Sequence, residues 1–590
     1  MPATAPAIQL TTPRQTVQAT FPNDVVLEAP VGTTVEALIL AWIELAPVTP
    51  QSRYLCAVVD GRLRELGFPI TRDVTIQPMS AASGDSRRVY RRTLVLLLLT
   101  ALRELWPGAR VSVSYAVPDG GYYCLPQGRA AYSDAELALL EDRMHEIVAA
   151  DDPITKQVIT LDQATALYRE RGDENKLRLL ESRTRGELNL YTLRGYADYY
   201  FGYMLPSTRY LTLFRLVNTQ SGGFILQYPR SDTPDRLAES VDNEGKICQV
   251  FEATESLLKR LDLEDIGKLN AAVRSKHVQE LILVSEAIHE QQIAQIAAEI
   301  YEARQRRNLR LVLIAGPSSS GKTTFSKRLA IQLLAQGLRP FTLEMDNYFV
   351  DREQTPRDAD GKYDFEALEA INLPLFNEQL VSLITGNVVD LPRFDFHGGR
   401  SVPGKRTRLS DNQILIVEGI HGINPRLVYD VPEERIFRVY VSALTQLNLD
   451  DHNRIPTTDV RLLRRISRDA VQRGHTATST INQWPSVRRG EKRNIFPYQE
   501  NADAILNSTL NYELAALKPI VEPLLLQVEP GTQAHIEANR LLSFLRWVQP
   551  MDAAQLALIP DTSLLREFIG GSILADYQPG TLLDVPIETA

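Results

Sequence analysis

The chain has 590 residues, 44% of them hydrophobic and 23% charged, with a formal net charge of −9. That length calls for several domains rather than one core, and the acidic balance excludes a protein that binds nucleic acid over its whole surface. Three scattered cysteines, Cys56, Cys124 and Cys248, make no CxxC pair and no disulfide framework, which predicts a reducing, cytoplasmic setting.

The first residues, MPATAPAIQLTTPRQT, lack a basic stretch followed by an apolar core, so no signal peptide is expected. Residues 1–14 read as a disordered Pro/Thr/Ala-rich arm. From Gln15 to Met79, short β-like runs (TVQATF, VVLEA, YLCAVVDG, VTIQPM) surround one helical pattern, TTVEALILAWIEL. SAASGDS at Ser80–Ser86 reads as a linker by composition. A mixed α+β block follows, 87–235. Within it LVLLLLTAL, Leu94–Leu102, is half a membrane span in length and reads as a buried helix, so no membrane partner is expected.

A helical connector occupies 236–307. In its stretch Val278–Arg307, apolar residues recur at three and four, the mark of an amphipathic helix placed to couple the two halves of the chain. From Leu309 the pattern changes. The runs LRLVLIAG, FTLEMD, QILIVEGI, IFRVYVSA and ADAILNS alternate with helical stretches, which predicts a parallel sheet covered by helices over 308–528. A helical tail, 529–590, completes a multidomain α/β chain.

Gly316-Pro317-Ser318-Ser319-Ser320-Gly321-Lys322-Thr323-Thr324 satisfies GxxxxGK[ST], between an apolar strand and a helix. Glycines let the backbone wrap a phosphate, and N–H groups at the helix start face the anion. Lys322 is the residue that reaches the terminal phosphates of ATP, and Thr323 the one that ligates Mg²⁺. Glu418 closes the strand ILIVEGIHG and Asp346 the strand TLEMDNYF. In a parallel sheet those ends share one edge, so both acids are expected near Lys322, with Thr323, Glu418 and Asp346 around the metal. Between Arg461 and Arg493 stand nine Arg/Lys against two acids, in a chain acidic overall. Arg461, Arg464, Arg465 and Arg468 fall at helical spacing, and Arg473 precedes Gly474 at the expected helix end. Cations of this kind neutralise a transferring phosphoryl group; a solvated basic helix or an RNA-facing patch gives the same pattern.

Together these residues resemble the uridine kinase/phosphoribulokinase family of P-loop kinases. The resemblance rests on GPSSSGKTTFS, EMDNYF, KYDFEALEAINL, DLPRFDF, ILIVEGIHG, RLLRRISRDAVQRG and FPYQENADAILN, in that order. It implies ATP and Mg²⁺ as cofactors and the 5′-hydroxyl of a nucleoside as acceptor. By position, Asp346 matches the catalytic base and Asp364 the ribose-binding carboxylate. Arg465 matches a substrate-side arginine, Arg468 and Arg473 the arginines that clasp phosphates, and Gln483 a further substrate contact. His475 stands where the family has another arginine. The base-reading segment, in the family Tyr-Asp-Phe with a His three positions on, is here RFDFHGGRS. His397 follows Phe396 directly and Phe394 replaces the tyrosine.

The front half resembles two other modules. FPNDVVLEAPVGTTVEALI and AVVDGRLREL look like a TGS domain, a small β-grasp (15–79). YRRTLVLLLLTALRELWPGARVSVSYAVPDGGYYC, RMHEIV and GELNLYTLRGYADYYFGYMLPSTRY are similar to the editing domain of threonyl-tRNA synthetase. That family's HxxxH and CxxxH positions are here Arg92, Leu96, Tyr200 and Met204, so the resemblance implies a fold kept and editing chemistry lost. Three functions follow as alternatives: a uridine-like nucleoside kinase, a kinase for another hydroxylated metabolite, and an RNA-associated regulator touching tRNA or ribosome through the front half. The oligomeric state stays open, a homo-oligomer included. His277 and His289 read as packing or surface residues, His421 as structural, and Trp484 and Pro485 as buried anchors.

Overall fold

A computed structural model describes residues 12–45, 53–183, 185–230, 232–240, 245–358, 361, 363–395 and 398–579. Most of the arm read as disordered, residues 1–11, and also His397 lie outside the described residues. The chain divides into two compact units. One comprises Met1–Leu167, Arg185–Asp242 and Pro530–Ile536; the other Tyr168–Thr184, Asn243–Glu529 and Glu537–Ala590.

The first unit opens with a five-stranded mixed sheet, in the order Val26–Pro30, Thr16–Thr20, Val74–Ser80, Tyr54–Val59, Arg62–Arg64. Thr16–Thr20 and Val74–Ser80 run parallel. Alternate residues point inward, and Val17, Ala19, Ala57 and Ile76 pack on Val35, Leu38, Ile39 and Trp42 of helix Val35–Leu45. This is a β-grasp arrangement. Its hairpin turn, Asp60-Gly61, has both residues at positive φ (47° and 70°), as a tight two-residue turn requires.

Ser80–Ser86 is not a linker. Ser80 ends a strand, and Ser83 caps helix Gly84–Leu105 by accepting from Ser86 N at 3.2 Å. Small polar residues that read as a flexible spacer are here a helix start. The helix carries the apolar run, and Leu94, Leu96, Leu97, Leu98 and Leu102 are fully buried. The same core includes residues of a four-stranded antiparallel sheet, Arg215–Asn218, Phe224–Gln227, Gly121–Gln127, Arg110–Val117, and of helix Asp134–Ala149. A three-stranded antiparallel sheet, Tyr196–Tyr199, Glu187–Leu193, Thr155–Thr160, adjoins it. No helix among the described residues is long and apolar enough to cross a membrane.

The second unit is built on five parallel strands in the order Arg339–Glu344, Gln413–Glu418, Leu311–Ala315, Ile436–Ser442, Ala504–Asn507. These are the five strands expected from the apolar runs. Each face of the sheet has its own core. Leu311, Leu313, Leu415 and Val417 pack with Phe376, Leu380 and Leu383 of helix Leu373–Ile384. Val312, Ile314, Ile414 and Ile416 pack with Phe325 and Leu329 of helix Lys322–Ala335. Ile293, Ile296, Ala297 and Ile300 join this second core from the 31-residue helix His277–Arg307. The apolar stripe read as a coupling device is thus a wall of the sheet's own core. Beyond helix Gln533–Leu545, the described residues of the tail hold two short helices, Ala553–Ala557 and Arg566–Ile569.

Candidate active site

The central strand Leu311–Ala315 is buried along its whole length and delivers the chain into the glycine-rich turn. A Cβ at Gly316 would stand 2.0 Å from Val441 O, so no larger residue fits beside the neighbouring strand. Ser319 and Gly321 take positive φ, 58° and 89°, and the helix begins at Lys322. This path folds the turn over the N-terminus of a 14-residue helix, where backbone N–H groups and the helix dipole favour an anion. The buried hydroxyls of Ser319 and Ser320 have no hydrogen-bond partner. Lys322 Nζ lies 3.5 Å from Pro317 O, folded back toward the turn.

Two acids meet the lysine from adjacent strands. The register pairs Glu344 with Glu418 and Ile314 with Glu418, so the carboxyl ends of three strands lie level. Glu418 closes its strand and accepts from Thr323 Oγ1 at 3.1 Å. Asp346 sits two residues beyond Glu344, in the 3₁₀ turn Met345–Tyr348. Its side chain keeps an exposed face, while protein atoms crowd it from the other sides. That crowding raises its carboxyl, against the ammonium of Lys322. Burial likewise pushes Glu418 up to about 7, again opposed by Lys322. A third acid, Glu366, is pushed up to about 7 by burial and by Glu491, with Arg465 and Lys322 acting the other way. Three carboxylates therefore share the field of one lysine at the sheet's carboxyl edge, the place where open α/β sheets bind ligands.

These residues lie inside a stretch, 311–515, that matches the model of the Phosphoribulokinase / Uridine kinase family. This part of the chain is a phosphoribulokinase/uridine kinase family domain. The N-terminal region matches threonine–tRNA ligases. That of Saccharophagus degradans is 29% identical over 228 residues, 38% of this chain and 35% of the ligase. The chain thus spans about a third of the length of such relatives. Among solved structures, a protein described as a possible uridine kinase from Bacillus stearothermophilus is 20% identical, covering 34% of this chain and 88% of its own, with a TM-score of 0.23. D-glycerate 3-kinase from Cryptococcus neoformans var. grubii is 14% identical, covering 45% and 89%, with a TM-score of 0.20.

The basic run of the kinase-family domain forms two helices, Thr457–Arg473, ended by Gly474 at φ 65°, and Ala477–Asn494. Its arginines divide. Arg461 and Arg464 are not available to a phosphate: they are 2% and 0% exposed. Arg461 grips Glu491 (Nη2–Oε2 2.8 Å) and Arg464 grips Glu513 (Nε–Oε2 2.7 Å). A helical basic stripe looks solvated in sequence, yet both these cations are structural, each with a buried carboxylate. Arg465, Arg468 and Arg473 all reach Asp469, 1% exposed, at 3.4, 3.2 and 3.3 Å. That one aspartate gathers the three arginines. Arg465 also donates to Ser318 Oγ at 2.8 Å, so the fan touches the P-loop. Arg473 is near enough to Asp346 to stabilise its charged form.

Asp364, expected to contact the acceptor, is 8% exposed and accepts from Arg493 Nη2 at 2.6 Å and from Glu366 N at 3.1 Å. Gln483 Oε1 lies 3.5 Å from Arg465 Nη2. The segment DLPRFDFHGGRS is a hairpin of Val388–Asp395 with Arg400–Arg408. Phe394 is edge-on to Phe349 at 5.7 Å, and Phe349 to Phe365 at 6.2 Å, which gives an aromatic group next to the Asp346 turn. Trp484 is buried, as expected of an anchor, and His421 is 1% exposed, its imidazole held neutral by burial, down to about 4.

Three carboxylates at the P-loop were missed in sequence. Glu366 had a signal, two residues after Asp364 in YDFEAL. Glu491 caps Ser318 N at 3.2 Å. Glu567 had none: it comes from the tail, 243 residues on, and accepts from Thr324 N at 3.2 Å and Thr324 Oγ1 at 2.8 Å. The tail is fixed there. Lys327 Nζ donates to Leu574 O and Ala575 O (2.6 and 2.7 Å), Ser467 Oγ to Phe568 O (2.9 Å), and a Cβ at Gly321 would strike Leu564.

The donor set fits magnesium. Thr323 Oγ1 and the Glu418 carboxylate are adjacent hard oxygens, with Asp346 in the same field, and Mg²⁺ is typically held by one or two carboxylates plus substrate phosphates. In the front unit, the four positions that match synthetase ligands are placed as follows: Leu96, Tyr200 and Met204 pack in the core around helix Gly84–Leu105, and Arg92 Nη1 donates to Tyr203 O at 2.6 Å.

Proposed function

We propose that the chain is an ATP- and Mg²⁺-dependent kinase acting on a small-molecule hydroxyl, the 5′-hydroxyl of uridine or a related nucleoside. The observation that carries this is Asp346 in the field of Lys322, on the strand edge shared with Glu418. A nucleotide-dependent switch has no use for that base. In the reaction, the acceptor oxygen forms a bond to the γ-phosphorus as the bond to the leaving ADP oxygen breaks. Asp346 orients the hydroxyl and takes its proton. Lys322, Arg468 and Arg473 offset the charge on the transferring group. Thr323 and Glu418 would hold Mg²⁺, which supplies further neutralisation of the phosphates when bound. Gly316–Thr324 cradles ATP. Asp364, Arg465 and Gln483 line the acceptor side, and His397 is assigned to the acceptor from its sequence position alone.

A different hydroxylated metabolite is the second reading. Phe394, in the tyrosine's place, is 6% exposed against Phe349 and brings no hydroxyl to read a base. The front half is assigned binding or regulation, without editing chemistry; purified protein should carry no stoichiometric zinc bound by residues 87–235. The test is ADP release by the purified chain across nucleosides and sugars. Turnover with a nucleoside and little with free sugars supports the first reading, the reverse supports the second, and RNA-stimulated ATP hydrolysis with no acceptor phosphorylated overturns both.

A further inference from the structure

The front unit has a cleft of its own, about 450 Å³ with the solvent it opens onto included. Eleven residues line it; four are arginines and none is acidic, in a chain of net charge −9. The local sequence explains the concentration. Arg87, Tyr90 and Arg91 fall at i, i+3 and i+4 on helix Gly84–Leu105 and so share one face. Arg53 comes from just before strand Tyr54–Val59, and Arg230 from just after Phe224–Gln227.

The charges are only partly answered within the protein. Arg91 lies over the ring of Tyr228, 4.4 Å from its centroid, and its buried Nε has no hydrogen-bond partner. Arg53 donates to the hydroxyl of Thr212. Among the described residues neither has a carboxylate partner. The carboxylates nearby are already engaged: Asp119 and Asp232 answer Arg230 of the same lining at 3.2 and 3.1 Å, and Glu36 is held by Arg209 at 2.6 Å. A crowded guanidinium without an anion is unfavourable, and a bound anion relieves it. Arginine forks match the oxygens of phosphate. Most of the remaining lining is apolar or aromatic. Tyr90 spends its hydroxyl on Leu213, donating to the carbonyl at 2.8 Å and accepting from the N–H at 3.1 Å, which leaves the ring as lining.

We propose that this cleft binds a phosphate-bearing nucleotide, its phosphate held by Arg53 and Arg91 and its ring on the apolar lining. A free nucleoside monophosphate and a 5′-phosphorylated RNA end present the same chemistry. The test uses the full chain carrying Lys322→Ala, so that the P-loop contributes little, and calorimetry with four probes: adenosine 5′-monophosphate, adenosine, inorganic phosphate and a 5′-phosphorylated tetranucleotide RNA. At least one phosphorylated nucleotide probe should bind about tenfold or more tightly than adenosine. Arg53→Gln and Arg91→Gln should each weaken it by a similar factor, and amide exchange should slow in peptides of residues 84–105. Because Arg91 also packs on Tyr228, exposed Arg53 is the variant that isolates binding from stability. Tighter binding of the RNA assigns the source as an RNA end, and tighter binding of the monophosphate a free nucleotide. Equal binding of adenosine, binding untouched by Arg53→Gln, or no binding by either phosphorylated nucleotide probe overturns the proposal.

Discussion

At the scale of single residues, the proposed kinase reading separates groups that would bind nucleotide from groups that would act on the acceptor. Asp346→Asn keeps the shape and removes the basicity. Turnover should fall by roughly 10²–10⁴-fold, with ATP affinity changed less than about tenfold. Lys322→Ala should weaken both, because that side chain meets the phosphates themselves. Calorimetry beside steady-state rates separates the two; near-normal turnover of Asp346→Asn would remove it from the base role. Glu366 gives a prediction in pH. Its carboxyl is pushed from the ordinary 4.5 up to about 7 in the folded protein. A raised acid favours the fold below its unfolded value, and that contribution is lost as pH rises toward 7 and beyond. Glu366→Gln, neutral throughout, should match wild type near pH 5 and melt higher by roughly 2–4 °C at pH 8. A melting difference that does not grow with pH would show that Glu366 is not held protonated.

At the scale of elements, the tail segment around helix Arg566–Ile569 stands on the P-loop helix. Glu567 takes the N–H and hydroxyl of Thr324, donors that an N-terminal helix site offers to a phosphate. Nucleotide and Glu567 then compete. Glu567→Gln should tighten ATP binding by about tenfold, the worth of a charge-assisted hydrogen bond; weaker binding by titration would mean that the carboxylate assists the nucleotide instead. Helix His277–Arg307 yields a second outcome. A chain beginning at Arg304 lacks Ile293, Ile296, Ala297 and Ile300 of the sheet's core. Losing even one such isoleucine costs about 2–5 kcal/mol, against a total stability of about 5–15 kcal/mol. That shortened chain should fail to fold, whereas one beginning at Asn243 should show more native circular dichroism. Equal folding of both would show that the helix is dispensable.

At the scale of the whole molecule, the chain order is not the packing order. Tyr168–Thr184 leaves the front sequence to join the second unit, where Lys176 Nζ meets Asp450 Oδ1 at 3.1 Å, both buried. The two units therefore cannot be cut apart at one bond without exposing an unpaired charge. What the sequence determined by itself was local and periodic. Strands buried on both faces read as unbroken apolar runs, so the five strands were visible. The GxxxxGK[ST] spacing fixed Lys322, and strand ends fixed Asp346 and Glu418, because one peptide geometry holds each group in place. Tertiary structure alone decided what depends on partners far along the chain. Glu491 and Glu513 turned Arg461 and Arg464 from phosphate candidates into buried ion pairs. The kinase-domain core claimed the apolar face of His277–Arg307. Glu567 reached Thr324 across 243 residues. Spacing records which residues share a face; which distant element covers that face is set by packing, and no local pattern carries it.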